Sequence, residues 1–169
     1  MKKIGLTGGI GSGKSFVAKQ IESMGYSVYY SDDQAKKISN ENRHVRDSLI
    51  SLIGPLAYQN NALNKEYLKA QLFSNDELRS KVNAIIHPAV RADFGNWLKE
   101  QKTSEFIFNE AAILFETGAY KNFDAVILVH APEEVKIERL IKRDRSSRSE
   151  IKSKMKAQWS DTRKKTLTR

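Results

Sequence analysis

The fold of this chain is indicated by one stretch near its start, Gly8-Gly9-Ile10-Gly11-Ser12-Gly13-Lys14-Ser15. This stretch matches the phosphate-binding pattern G-x-x-x-x-G-K-[ST]. A β-type run, Ile4-Gly5-Leu6, precedes it, and apolar residues at helical spacing follow it from Phe16 onward. A plain glycine-rich turn is the alternative interpretation, and the flanking strand and helix patterns favour a nucleotide-binding loop.

The residue types of this loop suit a polyphosphate ligand. Glycines let successive backbone N–H groups curl around a phosphate, and a helix that begins at about Gly13 adds donors and a favourable dipole end. Lys14 would reach the β- and γ-phosphates of a bound nucleotide, and the Ser15 hydroxyl would ligate Mg²⁺. The predicted nucleotide-binding residues are Gly8, Gly9, Gly11, Ser12, Gly13, Lys14, Ser15 and Phe16.

Length and composition limit the class of protein. A chain of 169 residues is most simply one domain. The absence of cysteine excludes disulfides, cysteine–zinc sites and thiol catalysis. With no apolar run of membrane-spanning length and no signal-peptide pattern, we expect a soluble, cytoplasmic protein without a membrane partner.

The net charge of +9 is concentrated in one region. Residues 1–135 carry 16 Lys/Arg and 16 Asp/Glu, whereas residues 136–169 carry 13 and 4. A nucleic-acid-binding module should spread basic residues over a face, so a nucleic-acid partner is not expected. Most lysines after Lys152 are interpreted as a solvated helix face, and the block as a whole can serve a polyphosphate.

Four segments read as strands of a parallel sheet, at residues 3–7, 26–30, 105–109 and 123–129. Residues 43–99 read as several helices, an insertion that would cap the nucleotide edge of the sheet. Within it, Pro88 interrupts the helical pattern and favours an extended conformation at His87.

Two polar groups follow predicted strands or helices. After the second strand, Ser31 or Asp32 can cap a helix, which leaves one carboxylate of Asp32 and Asp33 for a base or a water-mediated metal contact. The second group is a cluster of arginines at a helix–loop–helix junction, which predicts a lid that clamps phosphates: Arg139, Arg143, Arg145 and Arg148.

With these segments in place, the chain resembles the dephospho-coenzyme A kinase family over essentially its whole length. The residues that carry the resemblance are the loop from Gly5 to Ser15, Ser31-Asp32, His87-Pro88-Ala89-Val90-Arg91, Ile113-Leu114-Phe115-Glu116, and Arg139 through Arg143 leading to Arg148 and Gln158. The loop alone is shared with many kinases, whereas the ordered set is specific. The chain departs from the family pattern at Tyr30, Ala112 and Lys136.

The resemblance implies a three-layer α/β/α P-loop kinase with a parallel sheet. Its core would be residues 1–31 and 104–138, its helical substrate-binding insertion 32–103, and its lid with the following basic helix 139–169. The implied reaction is transfer of phosphate from ATP to the ribose 3′-hydroxyl of dephospho-CoA, by a monomer that requires Mg²⁺. The implied catalytic residues are Lys14, Asp32, Arg139 and Arg143, and those at the acceptor are Asp32, His87, Arg91 and Glu116.

Two other functions remain open from the residues. One is another small-molecule P-loop kinase, acting on nucleoside monophosphates or shikimate-like acceptors. The other is a P-loop switch or a nucleic-acid-binding module. A guanine-reading switch would carry Asn-Lys-x-Asp, but the only Asn-Lys in the chain is Asn64-Lys65-Glu66-Tyr67.

The strand count raises a further expectation. The resemblance implies a five-stranded core and an acidic continuation, whereas this sequence contains four predicted strands and ends in the polar stretch Thr166-Leu167-Thr168-Arg169. We therefore expect a truncated form, or a partner chain that covers the apolar edge beside strand 123–129.

Overall fold

The computed structural model describes residues 1–73, 75–101 and 104–168. The chain divides into two compact units, Met1–Tyr30 with Gln101–Arg169, and Ser31–Glu100. Two boundaries predicted from the sequence, residues 103 and 169, lie outside the described residues, as does the last residue of the 166–169 stretch.

The first unit is built on a four-stranded sheet in the order β2-β5-β1-β6. Its strands are β1 (Lys2–Thr7), β2 (Ser27–Tyr30), β5 (Phe106–Glu110) and β6 (Ala125–Leu128). All three neighbouring pairs are parallel. The predicted parallel α/β fold is therefore confirmed, and each strand begins or ends within two residues of its predicted bounds. At one edge of the sheet, Ile127 of β6 is 42% exposed.

The described residues of this unit form four α-helices: α1 (Lys14–Ser23), α6 (Glu133–Asp144), α7 (Arg148–Lys156) and α8 (Asp161–Lys165). On one face of the sheet, Ala18 and Ile21 of α1 pack with Leu6 of β1. A separate apolar cluster joins α6 to α7 through Ile137, Leu140 and Ile151, and Ile10 of the phosphate loop packs against it. The loop is therefore supported by α6 as well as by the sheet.

The second unit consists mainly of helices, with its own core. Its helices are α2 (Ser31–Glu41), α3 (Arg43–Ile53), α4 (Lys65–Leu72) and α5 (Asp76–Glu100). The buried residues of this core are Ile38, Val45, Leu49, Ile53, Ala57 and Val82. A short hairpin, β3 (Tyr58–Gln59) and β4 (Ala62–Leu63), was not predicted. Its turn residues Asn60 and Asn61 have φ of 51° and 62°, as a two-residue hairpin turn requires.

The predicted break at Pro88 is wrong, because α5 runs through this residue and His87 is helical. A proline inside a helix leaves the carbonyl four residues earlier without its usual N–H donor. Here that residue is Ala84, and both it and Pro88 are exposed to solvent. Apolar residues on either side of the proline, among them Ile85 and Val90, pack on the core of this unit. Tertiary packing therefore outweighs the local preference.

Among the described residues, no helix combines the length and the apolar character that crossing a bilayer would require.

Candidate active site

The loop between β1 and α1 has the backbone that its glycines predict. Gly13 precedes the first residue of α1 and has φ of 98°, a left-handed conformation that side chains disfavour. At Gly8 the space is closed, since a Cβ there would collide with the Val129 carbonyl and the Ser12 hydroxyl. That hydroxyl is buried and has no hydrogen-bond partner among the described residues. Such an orphaned polar atom in the loop fits a site built for a polar ligand.

Lys14 and Ser15 both face a carboxylate on the neighbouring strand. Lys14 Nζ forms an ion pair with Glu110 Oε1, and Ser15 Oγ lies 3.4 Å from the same oxygen. Glu110 is the last residue of β5, which pairs with β1 so that Leu6 lies opposite Glu110. The Glu110 side chain is 4% exposed, which concentrates one buried negative charge beside the loop. Phe16, by contrast, is 68% exposed.

The arginines predicted to form a lid separate into different contacts. Arg139 Nη1 donates to the carbonyls of Gly11 and Ser12, at 3.3 and 3.1 Å. Arg143 instead pairs with Asp144 at 2.6 Å, in an exposed ion pair that raises the pKa of Arg143 and lowers that of Asp144.

The other two arginines of the cluster are Arg145 and Arg148. Arg148 pairs with Glu134 in an exposed ion pair. Arg145 ends α6 with φ of 52°. The structure therefore brings Arg139 to the loop and does not bring the whole cluster together.

Glu116 is engaged by a segment far along the chain. Its Oε1 forms an ion pair with Lys164 Nζ at 2.9 Å and accepts a hydrogen bond from the Trp159 backbone N–H at 2.9 Å. Lys164 is completely buried, and its Nζ also donates to the Ala112 carbonyl at 3.2 Å. The second carboxylate oxygen of Glu116, Oε2, is buried without a hydrogen-bond partner among the described residues. That oxygen is the part of Glu116 that could still accept a ligand donor.

Asp32 and Asp33 lie at the start of the second unit. The prediction that Ser31 or Asp32 caps the helix is wrong in register, because α2 begins at Ser31 and places Asp32 and Asp33 in its first turn. The helix dipole favours carboxylates in the first turn. The two acids therefore lie close to the predicted cap position and in a favourable place. Asp33 pairs with Lys36 at 2.7 Å on the exposed surface, whereas Asp32 is half-buried.

His87 and Arg91 lie one helical turn apart on α5. Burial lowers the pKa of His87, and the positive charge of Arg91 lowers it further. The imidazole is therefore held in its neutral form at and above neutral pH. Asp32, His87 and Arg91 belong to the second unit, and the phosphate loop belongs to the first.

Sequence reasoning assigned no role to several residues that the structure places beside the loop. The position of Glu110 could have been predicted, because an acid at the carboxyl end of a strand parallel to β1 lies at the same edge of the sheet as the loop. Gln158 entered only through the family resemblance, and its Oε1 accepts a hydrogen bond from Ile10 N at 2.9 Å. The ion pair Lys136–Asp161 carried no signal, because 25 residues separate its members.

Residues 2–169 match the family described as "Dephospho-CoA kinase". The chain belongs to the dephospho-CoA kinase family. Relatives named dephospho-CoA kinase include one from Bacteroides fragilis, 40% identical over 96% of this chain and 79% of its own length. Another, from Porphyromonas gingivalis, is 42% identical over 94% of this chain and 78% of its own length.

Solved structures support the same family fold. The protein TT1252 from Thermus thermophilus aligns with a TM-score of 0.89 at 32% identity, covering 99% of this chain and 85% of its own. A dephospho-CoA kinase from Campylobacter jejuni aligns with a TM-score of 0.63 at 26% identity, covering 92% and 79%. The family fold therefore extends over both units of the chain.

Proposed function

We propose that this protein transfers the γ-phosphoryl group of ATP to the ribose 3′-hydroxyl of dephospho-CoA, giving CoA and ADP in the last step of coenzyme A assembly. The observation that carries the proposal is the family match over residues 2–169, which includes the phosphate loop and the lid. We further propose that the enzyme acts in the cytoplasm as a monomer.

The donor side of the reaction is assigned to the first unit. Phosphoryl transfer depends on positioning and on neutralising charge, and it requires no nucleophilic residue of the enzyme. Backbone N–H groups of the loop that are not already bonded within the protein would hold the β- and γ-phosphates. Lys14 would exchange its contact with Glu110 for the γ-phosphate, while Arg139 would bind from the lid side. Arg143 would reach the polyphosphate only after leaving Asp144.

The acceptor side is assigned to the second unit together with Glu116. In the proposed reaction the 3′-oxygen forms a bond to phosphorus, the bond to the leaving oxygen of ADP breaks, and Asp32 takes the hydroxyl proton. Asp32 is preferred over Asp33 because Asp33 is exposed and paired with Lys36. His87, Arg91 and the free oxygen of Glu116 would hold the acceptor.

A magnesium ion fits the residues that are present. Mg²⁺ prefers oxygen ligands and keeps several waters, so it is held by few protein groups together with phosphate oxygens. Ser15 Oγ and the buried Glu110 carboxylate lie 3.4 Å apart beside the loop and are oxygen groups of the kind that such a site uses. Ser15 Oγ would be a direct ligand, and Glu110 would orient bound waters. When bound, the ion would neutralise charge on the transferred phosphoryl group.

A coupled ADP-release assay tests the proposal across three acceptors: dephospho-CoA, AMP and shikimate. We expect ADP release that depends on dephospho-CoA and Mg²⁺, with formation of CoA. Turnover restricted to AMP or shikimate would instead identify another small-molecule kinase. Nucleotide binding without any acceptor-dependent release would favour a P-loop switch.

A further inference from the structure

The segment after α7, residues 157–168, makes polar contacts with the phosphate loop. Gln158 Oε1 accepts a hydrogen bond from Ile10 N at 2.9 Å. The carbonyl of the same peptide unit, Gly9 O, accepts from Ser12 N at 3.0 Å and closes the turn of the loop. Both polar atoms of the Gly9–Ile10 peptide are therefore fixed, one from within the loop and one by Gln158.

A buried ion pair lies beside this contact. Lys136 Nζ and Asp161 Oδ2 are 2.7 Å apart, with side chains 9% and 16% exposed. A Cβ placed on Gly9 would lie 3.3 Å from Asp161 Oδ1, 3.7 Å from Gln158 Oε1 and 3.7 Å from Lys136 Nζ. Three polar side chains from two parts of the chain thus converge on one glycine of the loop.

The energetics of this arrangement favour a positioning role over a purely stabilising one. Removing two charges from water carries a desolvation penalty that the pair's attraction barely offsets, so a buried ion pair is weak support for stability. It does, however, fix geometry, because any displacement leaves a buried charge without its partner. Apolar contacts already join α6 to the loop through Ile10. The polar contacts of Gln158 and of the Lys136–Asp161 pair additionally fix the orientation of the Gly9–Ile10 peptide.

We propose that Gln158 and the Lys136–Asp161 pair are positioning residues: by fixing the Gly9–Ile10 peptide they hold the rest of the phosphate loop in the conformation that binds phosphate. The segment 157–168 is thereby part of the nucleotide site although it lies more than 140 residues from the loop in sequence. The inference rests on the proposed function for the identity of the ligand, an adenine nucleotide. It does not depend on which acceptor the enzyme uses.

The test measures nucleotide affinity without turnover, by fluorescence titration with N-methylanthraniloyl-ADP. Gln158→Met removes the acceptor oxygen and keeps the length of the side chain. We expect the Kd to rise about tenfold, the equivalent of one lost hydrogen bond. The matched control is Gln20→Met on the exposed surface of α1, for which we expect an unchanged Kd.

A second pair of variants separates positioning from folding. Asp161→Leu removes the oxygens that face Lys136, whereas Asp161→Asn keeps one oxygen as an acceptor. We expect Asp161→Leu to raise the Kd about tenfold and Asp161→Asn to recover most of the affinity, both in protein that circular dichroism shows to be folded. This pair serves also if Gln158→Met does not fold.

Two outcomes would decide against the positioning role. A Kd within twofold of the unchanged protein for both Gln158→Met and Asp161→Leu overturns it, as does equal loss of affinity in the Asn and Leu variants of Asp161. Failure of the proposed function would look different. In that case the unchanged protein would bind the nucleotide and transfer no phosphate to dephospho-CoA, while the variants would still rank as stated.

Discussion

At the scale of single residues, the pair formed by Lys14 and Glu110 links the stability of the protein to its proposed activity. Glu110 is nearly buried, and its carboxylate faces both Lys14 and Ser15. In the proposed reaction Lys14 would serve the γ-phosphate. Lys14 therefore has two roles, as the partner of the Glu110 charge and as a ligand of the γ-phosphate, and mutations can separate them.

Lys14→Ala is expected to abolish turnover and to lower the free energy of unfolding by about 1–3 kcal/mol, because it leaves Glu110 with a weakened set of partners. The double variant Lys14→Ala, Glu110→Gln removes the uncompensated charge, so we expect stability to recover and turnover to stay absent. Urea denaturation and the ADP-release assay measure the two effects. Turnover retained in the single variant would contradict the assignment of the loop.

Arg139 is distinguished from the other arginines predicted to form a lid by its contacts with the loop carbonyls. Arg139→Lys keeps the charge but loses the planar fork of donors, and we expect kcat/KM for ATP to fall about tenfold. Arg43→Lys is the matched control, since Arg43 is 94% exposed on α3. Equal activity of both variants would mean that Arg139 supplies only a general positive field.

His87 is expected to make stability depend on pH. Because its pKa is lowered in the folded protein, the unfolded chain binds more protons below its ordinary pKa of about 6.5. The contribution of His87 is therefore fully present above that pH and is lost as pH falls through the lower folded value. Urea unfolding at pH 7.5 and 5.5 should show a smaller loss for His87→Gln than for the unchanged protein. The exposed His130→Gln should behave like the unchanged protein.

At the scale of elements, α7 depends on its first turn. Ser147 accepts from the Glu150 N–H, and the Glu150 side chain accepts from the Ser147 N–H, which completes a capping box. The helix has one buried residue, Ile151, which packs on Ile137 and Leu140 of α6. The cap therefore supports the junction between α6 and α7.

Ser147→Ala is expected to lower the free energy of unfolding by about 1 kcal/mol through loss of the cap. Ser153→Ala, an exposed position in the middle of α7, makes the same chemical change without a cap and should be neutral or slightly stabilising. Urea denaturation of the two variants provides the comparison. A loss of the same size in both would show that the cap contributes little.

At the scale of the whole molecule, the two units have separate cores. The residues proposed to bind the nucleotide lie in the first unit. A bound nucleotide should stabilise the structure that binds it. We expect a non-hydrolysable ATP analogue to increase amide-exchange protection in α1 and α6 more than in α3. Equal gains in α3 would show that the two units open as one cooperative body.

The sequence by itself determined the elements whose signals are local. The glycine pattern and the helical spacing after it predicted the loop and α1, and runs of β-favouring residues predicted four strands. Such signals come from backbone freedom and from periodicity, which neighbouring residues decide. The family resemblance on ordered motifs was confirmed by the match over residues 2–169.

Tertiary structure decided what depends on residues distant in sequence. The order of the strands brings Glu110 to Lys14 across 96 positions, and the fold returns Gln158 to Ile10 across 148. Packing on the core of the second unit also carries α5 through Pro88 against its local preference. Local sequence cannot specify such contacts, because they form only when the sheet order and the docking of helices are set by burial of the whole chain.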